Sequence, residues 1–133
     1  PIEQSSEKIK KNGRVNIDLR LTSNPDILAW AGAHKTAGQT LCGFAMETQD
    51  LESNAAKKLT SKHCSMLVAN NLNTPGAGFA VDTNVVTVLK PGETTDEPII
   101  EHWNKMSKQE LAERILTELA ALRNTESAES QAS

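Results

Sequence analysis

Lysine residues cluster in two parts of the chain where they could bind an anion. A KIKK run occupies residues 8–11, and Lys58 and Lys62 are four residues apart with Lys57 beside them. Residues four apart are neighbours on one face of a helix, where like charges repel by about 0.2–0.5 kcal/mol. A phosphate bound between the two lysines would offset this repulsion. The alternatives are a solvated helix face and a flexible basic segment.

An aromatic residue within an apolar run is the second candidate for ligand binding. Gly43 would let a ligand or a backbone segment approach closely, and Phe44 beside it could lie against a base or a ribose. The alternative is that Phe44 belongs to the hydrophobic core. The sequence has no Walker loop, no GxGxxG motif and no Ser/His/Asp set, so these patterns predict an anion site without identifying a reaction.

Composition narrows the class of protein. The chain has 133 residues, of which 38% are hydrophobic, and its formal charge is -3 from 14 basic and 17 acidic residues. This length predicts one domain, and the charge provides no overall basic field for nucleic acid. No apolar run approaches the ~20 residues needed to span a bilayer, and the first residues do not resemble a signal peptide. We therefore expect a cytoplasmic protein without nucleic-acid or membrane partners.

The two cysteines are predicted to be buried, reduced thiols. Cys42 and Cys64 lie within or beside apolar runs and lack CxxC spacing. His63 beside Cys64 is too little for a zinc site, so we predict no metal ligands.

Hydrophobic periodicity predicts a strand–helix–strand unit in the first half of the chain. The predicted elements are a one-sided strand at 15–21, a helix at 25–34, a strand at 40–46, a helix at 50–62 and a strand at 66–69. Asn24 is the predicted N-cap of the first helix, with Pro25 at its first position. Two apolar strands around a helix predict parallel pairing.

The second half predicts a hairpin and a final helix. A loop is expected at 70–82, strands at 83–89 and 98–103 around the turn at Pro91 and Gly92, and a capping box from Ser107 to Glu110. The final helix is predicted to end near Leu122, with residues 124–133 as a disordered tail. The sheet is therefore predicted to be mixed, and the ends of its parallel strands, at 43–50 and 69–79, should face one crevice.

Several motifs together resemble the C-terminal part of bacterial phosphopantothenoylcysteine synthetase. They are EKIKK, SNPDILAWAG, GFAMETQDLESNAAKKLTSK, MLVANN, GAGFAVDTNVVTVL and MSKQELAERIL, in that order from residue 7 to about 122. In most bacteria this synthetase is the second half of a bifunctional coenzyme A biosynthesis flavoprotein. The resemblance implies that residues 1–123 are a fragment of a three-layer α/β/α Rossmann-like domain with a mixed sheet and an appended β-hairpin. The missing N-terminal half of that domain would carry a glycine-rich loop.

The resemblance also implies a reaction. The carboxylate of 4'-phosphopantothenate would attack CTP to give an acyl cytidylate, and the amine of cysteine would then displace CMP. Mg2+ would accompany the triphosphate, and FMN would be present only if a decarboxylase domain is fused upstream. Family members are homodimers, which makes residues 15–21 the candidate dimer strand, and the isolated chain is expected to be inactive.

The resemblance assigns site residues position by position. Lys8 matches a catalytic lysine that contacts the triphosphate, and the other positions match residues that line or contact the CTP site. These are Pro25, Asp26, Ile27, Leu28, Phe44, Lys58 and Lys62. One departure is that the family commonly has Asn-Asp where this chain has Asn70 and Asn71, which removes a carboxylate.

Two other functions stay open at this point. One is an ATP-using synthetase of the eukaryotic type, and the other is a non-catalytic nucleotide-binding or dimerisation module.

Overall fold

The computed structural model describes residues 20–71 and 83–132, which form a mixed four-stranded sheet with three helices. The elements are α1 (Ile27–His34), β1 (Cys42–Glu47), α2 (Leu51–Ser61), β2 (Met66–Asn71), β3 (Thr83–Lys90), β4 (Ile99–Ser107) and α3 (Lys108–Gln131). Lys8, the loop from residue 72 onward and residues 15–19 of the predicted dimer strand lie outside the described residues. Arg20 and Leu21, at the end of that predicted strand, are exposed and belong to no strand.

The sheet has the order β1-β2-β3-β4, and its first pair is parallel. In the register of that pair, Cys42 lies opposite Met66 and Glu47 lies opposite Asn71. Strands β3 and β4 add to the parallel pair as an antiparallel hairpin, with a bulge near Val86. The predicted mixed α/β sheet with an appended hairpin is therefore confirmed, although β4 runs further than predicted, as far as Ser107.

Each face of the sheet carries its own hydrophobic cluster. The two faces are covered by different helices, α2 with α1 on one side and α3 on the other. The first cluster contains Ala45, Ala55, Leu59, Cys64, Leu67, Ala69 and Leu89, with Leu28 of α1 packed against it. The second contains Met66, Val68, Val86, Val88, Trp103, Leu111 and Ile115. Since a buried aliphatic side chain contributes roughly 1.5–3 kcal/mol, these clusters hold the three layers together.

Two helix ends differ from the prediction. The N-cap of α1 is Asp26, whose side chain accepts a hydrogen bond from the Ala29 backbone N–H at 2.8 Å, so the helix begins after Asp26 and Asn24 does not cap it. Asn and Asp are equally good caps, and the local sequence does not discriminate between them.

Helix α3 continues past Leu122 to Gln131, so the predicted end of the helix is wrong, and residues 124–131, predicted to be a disordered tail, are helical. This segment has no Gly or Pro to end a helix. Its Glu126 also lies against the start of β1, where the Thr40 hydroxyl donates to it at 3.5 Å. The predicted capping box of Ser107 and Glu110 is confirmed. Within the described residues, none of the helices is long and apolar enough to cross a membrane.

An ionic cluster fastens α3 to the hairpin. Lys90 donates to Glu101 at 2.8 Å and to Glu118 of α3 at 2.6 Å. The other oxygen of Glu101 accepts a hydrogen bond from the Trp103 indole at 2.9 Å, and Arg114 of α3 stacks over the Trp103 ring. The hydrogen bonds from Lys90 and then Trp103 hold the pKa of Glu101 below its ordinary value of 4.5.

This lowered pKa predicts an acid-sensitive contribution to stability. A carboxyl group whose pKa is lower in the folded state stabilises the fold above its ordinary pKa and loses that contribution as the pH falls through the folded value. We expect the free energy of unfolding to fall as the pH drops below about 4.5, and to fall less steeply in Glu101→Gln. Denaturant titrations at several pH values across this range would measure the free energy of unfolding. An equally steep loss of stability at low pH in Glu101→Gln would contradict the role assigned to Glu101.

Candidate functional site

The carboxyl ends of the two parallel strands meet at one edge of the sheet. Glu47, the last residue of β1, pairs in register with Asn71, the last residue of β2. The predicted shared edge is thus confirmed for the described residues. In open α/β sheets this edge is where ligands bind.

The first lysine of the predicted site is paired with a buried carboxylate. The Lys58 ammonium on α2 donates to Glu47 Oε1 at 2.5 Å. The Glu47 side chain is only 10% exposed, whereas the Lys58 side chain is 45% exposed. The buried carboxylate therefore anchors a partly exposed lysine beside the strand end.

The second lysine joins α2 to the start of α1. The Lys62 ammonium donates to Asp26 Oδ2 at 2.5 Å, while Asp26 Oδ1 caps α1. The hydrogen bond from Lys62, followed by the one from the Ala29 backbone N–H, holds the pKa of Asp26 below its usual range. Asp26 consequently remains ionised and links two helices.

These pairs change the interpretation of the lysine spacing. The repulsion expected between Lys58 and Lys62 is offset by Glu47 and Asp26, so the spacing by itself does not require a bound anion. An ammonium group has three donors, and contact with one carboxylate oxygen leaves it able to bind an anion as well.

Close backbone approach places α1 at this site. A Cβ atom on Gly32 would lie 1.8 Å from the Lys62 carbonyl oxygen, and one on Gly43 would lie 2.9 Å from a Leu28 methyl group. Gly43 was expected to let a ligand or a backbone segment approach. In the structure it is buried, and the groups that approach it are the side chains of α1, β2 and Cys64.

Phe44 lies on the other face of β1. Side chains alternate along a strand, and Gly43, Ala45 and Glu47 are buried on the α2 side, which directs Phe44 to the α3 side. Phe44 is 69% exposed, so the alternative that it belongs to the core is wrong. The structure therefore brings Lys58, Lys62 and the start of α1 together on one side of β1 and leaves Phe44 on the other.

Pro25 and Ile27 are both exposed on either side of Asp26, the partner of Lys62, while Leu28 points into the core. Since β1 is the outer strand of the described sheet, the two groups of predicted residues flank the same free edge.

Two asparagines near the strand ends were not predicted as site residues. The Oδ1 atoms of Asn70 in β2 and Asn84 in β3 are buried without a hydrogen-bond partner among the described residues. Asn70 pairs in register with Met46, the residue two positions after Phe44, and so lies on the Phe44 side of the sheet. Asparagine is depleted in strands, so Asn84 in a predicted strand was an available signal, whereas Asn70 falls in the loop predicted at 70–82 and β2 instead extends through it to Asn71. A donor from a ligand or from another part of the protein would satisfy these oxygens.

The cysteines do not form part of this site. Both are free, Cys64 is buried and Cys42 is partly buried. Burial raises the pKa of Cys42 to about 11, so its thiol stays protonated at neutral pH. Within residues 20–71 and 83–132, no three His, Cys, Asp or Glu side chains come together to hold a metal ion.

A separate groove of about 770 Å3 lies at the other end of β1, between α1 and α3. Its walls include Trp30, Leu41 and Arg123, and none of the predicted site residues lines it. Trp30 stacks on His34 there, with ring centroids 4.4 Å apart.

The family of the chain follows from its sequence. The family model for the DNA/pantothenate metabolism flavoprotein C-terminal domain matches residues 1–122. The chain belongs to this family. The resemblance found from the motifs is therefore confirmed.

Relatives and a solved structure agree with this membership. The chain is 43% identical over 114 residues to the coenzyme A biosynthesis bifunctional protein CoaBC of Bacillus subtilis, an alignment covering 85% of the chain and 26% of that protein. It is 37% identical over 123 residues to a cysteine/cysteine sulfinic acid decarboxylase from an unknown prokaryotic organism, covering 92% of the chain and 32% of that protein.

The crystal structure of the C-terminal domain of a CoaBC protein superposes with a TM-score of 0.61 at 34% identity, covering 77% of this chain and 46% of that one. The chain thus spans about a quarter to a third of these curated relatives and less than half of the solved domain.

The close packing of α1 on α2 gives a test of the site's framework. Gly→Ala in a helix ordinarily stabilises a protein by about 0.5–1 kcal/mol. At Gly32 we expect the opposite, a loss of about 1–3 kcal/mol, because the methyl group would overlap the Lys62 carbonyl. Ala33→Gly at the adjacent exposed position is the control for helix propensity, and denaturant unfolding is the measurement. A stabilised Gly32→Ala variant would show that α1 does not dock here.

Proposed function

We propose that this chain is the C-terminal part of a phosphopantothenoylcysteine synthetase that joins 4'-phosphopantothenate to cysteine at the expense of CTP. The observation that carries the proposal is the placement of Lys58 and Lys62 on one face of α2, with Lys58 at the carboxyl end of β1 and Lys62 at the start of α1. Membership of the family and the names of its CoaBC relatives support a role in coenzyme A biosynthesis.

The proposed reaction has two steps. A carboxylate oxygen of 4'-phosphopantothenate attacks the α-phosphorus of CTP, and the bond to the bridging oxygen of the β-phosphate breaks to release pyrophosphate. The cysteine amine then attacks the acyl carbon, the bond from that carbon to the phosphate oxygen breaks, and CMP leaves as the amine loses its proton. Such a reaction requires correct positioning and stabilisation of phosphate charge more than covalent chemistry by the protein.

We propose that the described residues contribute to both requirements. Lys58 and Lys62 would stabilise charge on the triphosphate, and Phe44 would lie against the base or the ribose across the free edge of β1. The stretch from Pro25 to Leu28 would line the nucleotide site. Lys8, which lies outside the described residues, is proposed to contact the triphosphate as the catalytic lysine.

Mg2+ is proposed to accompany the triphosphate and share in neutralising its charge. The described residues offer no set of three metal-ligating side chains, so phosphate oxygens would be the main ligands.

The rest of the site is proposed to come from outside this sequence. The outer edge of β1 is unpaired in the described sheet, and the chain covers 46% of the solved domain. The N-terminal half of the domain would complete the sheet and the 4'-phosphopantothenate site, in a cytoplasmic homodimer. FMN enters this proposal only if a decarboxylase domain is fused upstream.

The reaction is tested on the full-length protein that carries this sequence. We expect pyrophosphate release that requires 4'-phosphopantothenate and CTP, and product formation that also requires cysteine. ATP in place of CTP should support little turnover, and the isolated chain should support none. Equal turnover with ATP would favour the ATP-using class, and no turnover by a folded full-length protein would favour a non-catalytic module.

The lysines are tested by neutralisation. Lys58→Gln and Lys62→Gln in the full-length protein should each slow pyrophosphate release by roughly 100-fold, the scale for losing one charge-stabilising donor. Aminolysis of preformed acyl cytidylate should slow less, because the triphosphate has already left. Lys57→Gln, an exposed neighbour on α2, is the control for the loss of charge. Equal slowing of both steps, or slowing by Lys57→Gln alone, would contradict the assignment.

The aromatic residue is tested separately. Phe44→Ala should weaken CTP binding by about 1–3 kcal/mol, the range for stacking of a base on an aromatic ring. Its thermal stability should change little because Phe44 is exposed. Trp30→Ala removes another exposed aromatic and should leave CTP affinity unchanged. Normal CTP affinity in Phe44→Ala would remove this residue from the nucleotide site.

A further inference from the structure

Glu47 has a position that the proposed chemistry does not use. It is the last residue of β1, it faces α2, and its side chain is 10% exposed. Glutamate is rarely buried unless it is paired, and here the partner is Lys58 at 2.5 Å. Glu47 therefore places a negative charge directly beside one of the lysines proposed to bind the triphosphate.

The two members of this pair differ in mobility. Glu47 is held by the register of β1 against β2, whereas Lys58 is a more exposed residue of α2 with a flexible four-carbon side chain. A contact between these groups fixes the ammonium relative to the strand end more than it fixes the carboxylate. The remaining donors of the ammonium stay available for an anion.

We propose that Glu47 is a positioning residue of the nucleotide site, which holds the Lys58 ammonium at the carboxyl edge of the sheet. This inference rests on the proposed function. Glu47 touches no substrate atom and acts only through Lys58. Its negative charge opposes triphosphate binding, but its burial and fixed register make positioning the larger effect.

Positioning of Lys58 and repulsion of the triphosphate by Glu47 predict opposite changes in CTP affinity for Glu47→Gln. The amide keeps a hydrogen-bond acceptor but loses the charge that makes the contact with an ammonium strong. If positioning dominates, Glu47→Gln weakens CTP binding by about tenfold, the scale of one charge-assisted hydrogen bond. If charge repulsion dominates, the same change strengthens CTP binding.

A double-mutant cycle on the full-length protein tests the inference. The CTP dissociation constant is measured for the wild type, Glu47→Gln, Lys58→Met and the double variant, with thermal unfolding of each. We expect Glu47→Gln to weaken binding about tenfold when Lys58 is present and to have no effect in the Lys58→Met background. Glu52→Gln, which removes another carboxylate from α2 at an exposed position, should leave the affinity unchanged.

Each other outcome overturns the inference. Unchanged or tighter CTP binding by Glu47→Gln shows that Glu47 does not position Lys58, and equal weakening in both backgrounds shows a structural role independent of the lysine. Lys58→Met with wild-type affinity overturns the proposed role of Lys58 and the inference with it, whereas weaker binding by Lys58→Met with no effect of Glu47→Gln overturns the inference alone. If Glu47→Gln does not fold, the cycle is repeated with Glu47→Asp, which keeps the charge but shortens the side chain.

Discussion

The parallel pairing of β1 with β2 is the constraint on which the candidate site depends. It places Glu47 and Asn71 at the same edge, and helix α2, which connects the two strands, runs back across the sheet with Ala55 and Leu59 buried against it. Lys58 and Lys62 border this same face of α2, where Lys58 meets Glu47 at the end of β1 and Lys62 meets Asp26 at the start of α1. A different pairing of β1 would separate these groups.

Electrostatic pairing at this edge serves position more than stability. Ion pairs with an exposed partner contribute little to the free energy of unfolding, because water competes for both charges. Lys58 and Lys62 nevertheless each have a carboxylate on a neighbouring element, Glu47 on β1 and Asp26 at the start of α1. The result is two ammonium groups held in place, and that of Lys58 lies at the edge where α/β proteins bind ligands.

Local sequence signals were sufficient to predict the helices and strands, but not the contacts between elements that are distant in sequence. Residues close in sequence determine three of the predicted features, and the structure confirms each of them. These are the apolar strands, the i, i+4 spacing of α2 and the capping box at Ser107. The ion pair of Asp26 with Lys62 and the packing of α1 against Gly43 join residues that are far apart in sequence, which no local pattern contains.

The same reasoning explains the remaining differences. Strand alternation gave two possible faces for Phe44, and only the placement of Glu47 against α2 shows which one it occupies. Helix α3 extends through a segment without Gly or Pro, and its Glu126 contacts Thr40, a residue far away in sequence. The site assignments came from family resemblance, and the geometry adds the carboxylates that hold the lysines.

The most direct test of this account is a crystal structure of the full-length protein with CTP and Mg2+. We predict that the triphosphate lies at the carboxyl edge of β1 within contact distance of Lys58 and Lys62, with Phe44 against the base or the ribose. A nucleotide bound instead in the groove between α1 and α3, beside Trp30 and Arg123, would contradict the account.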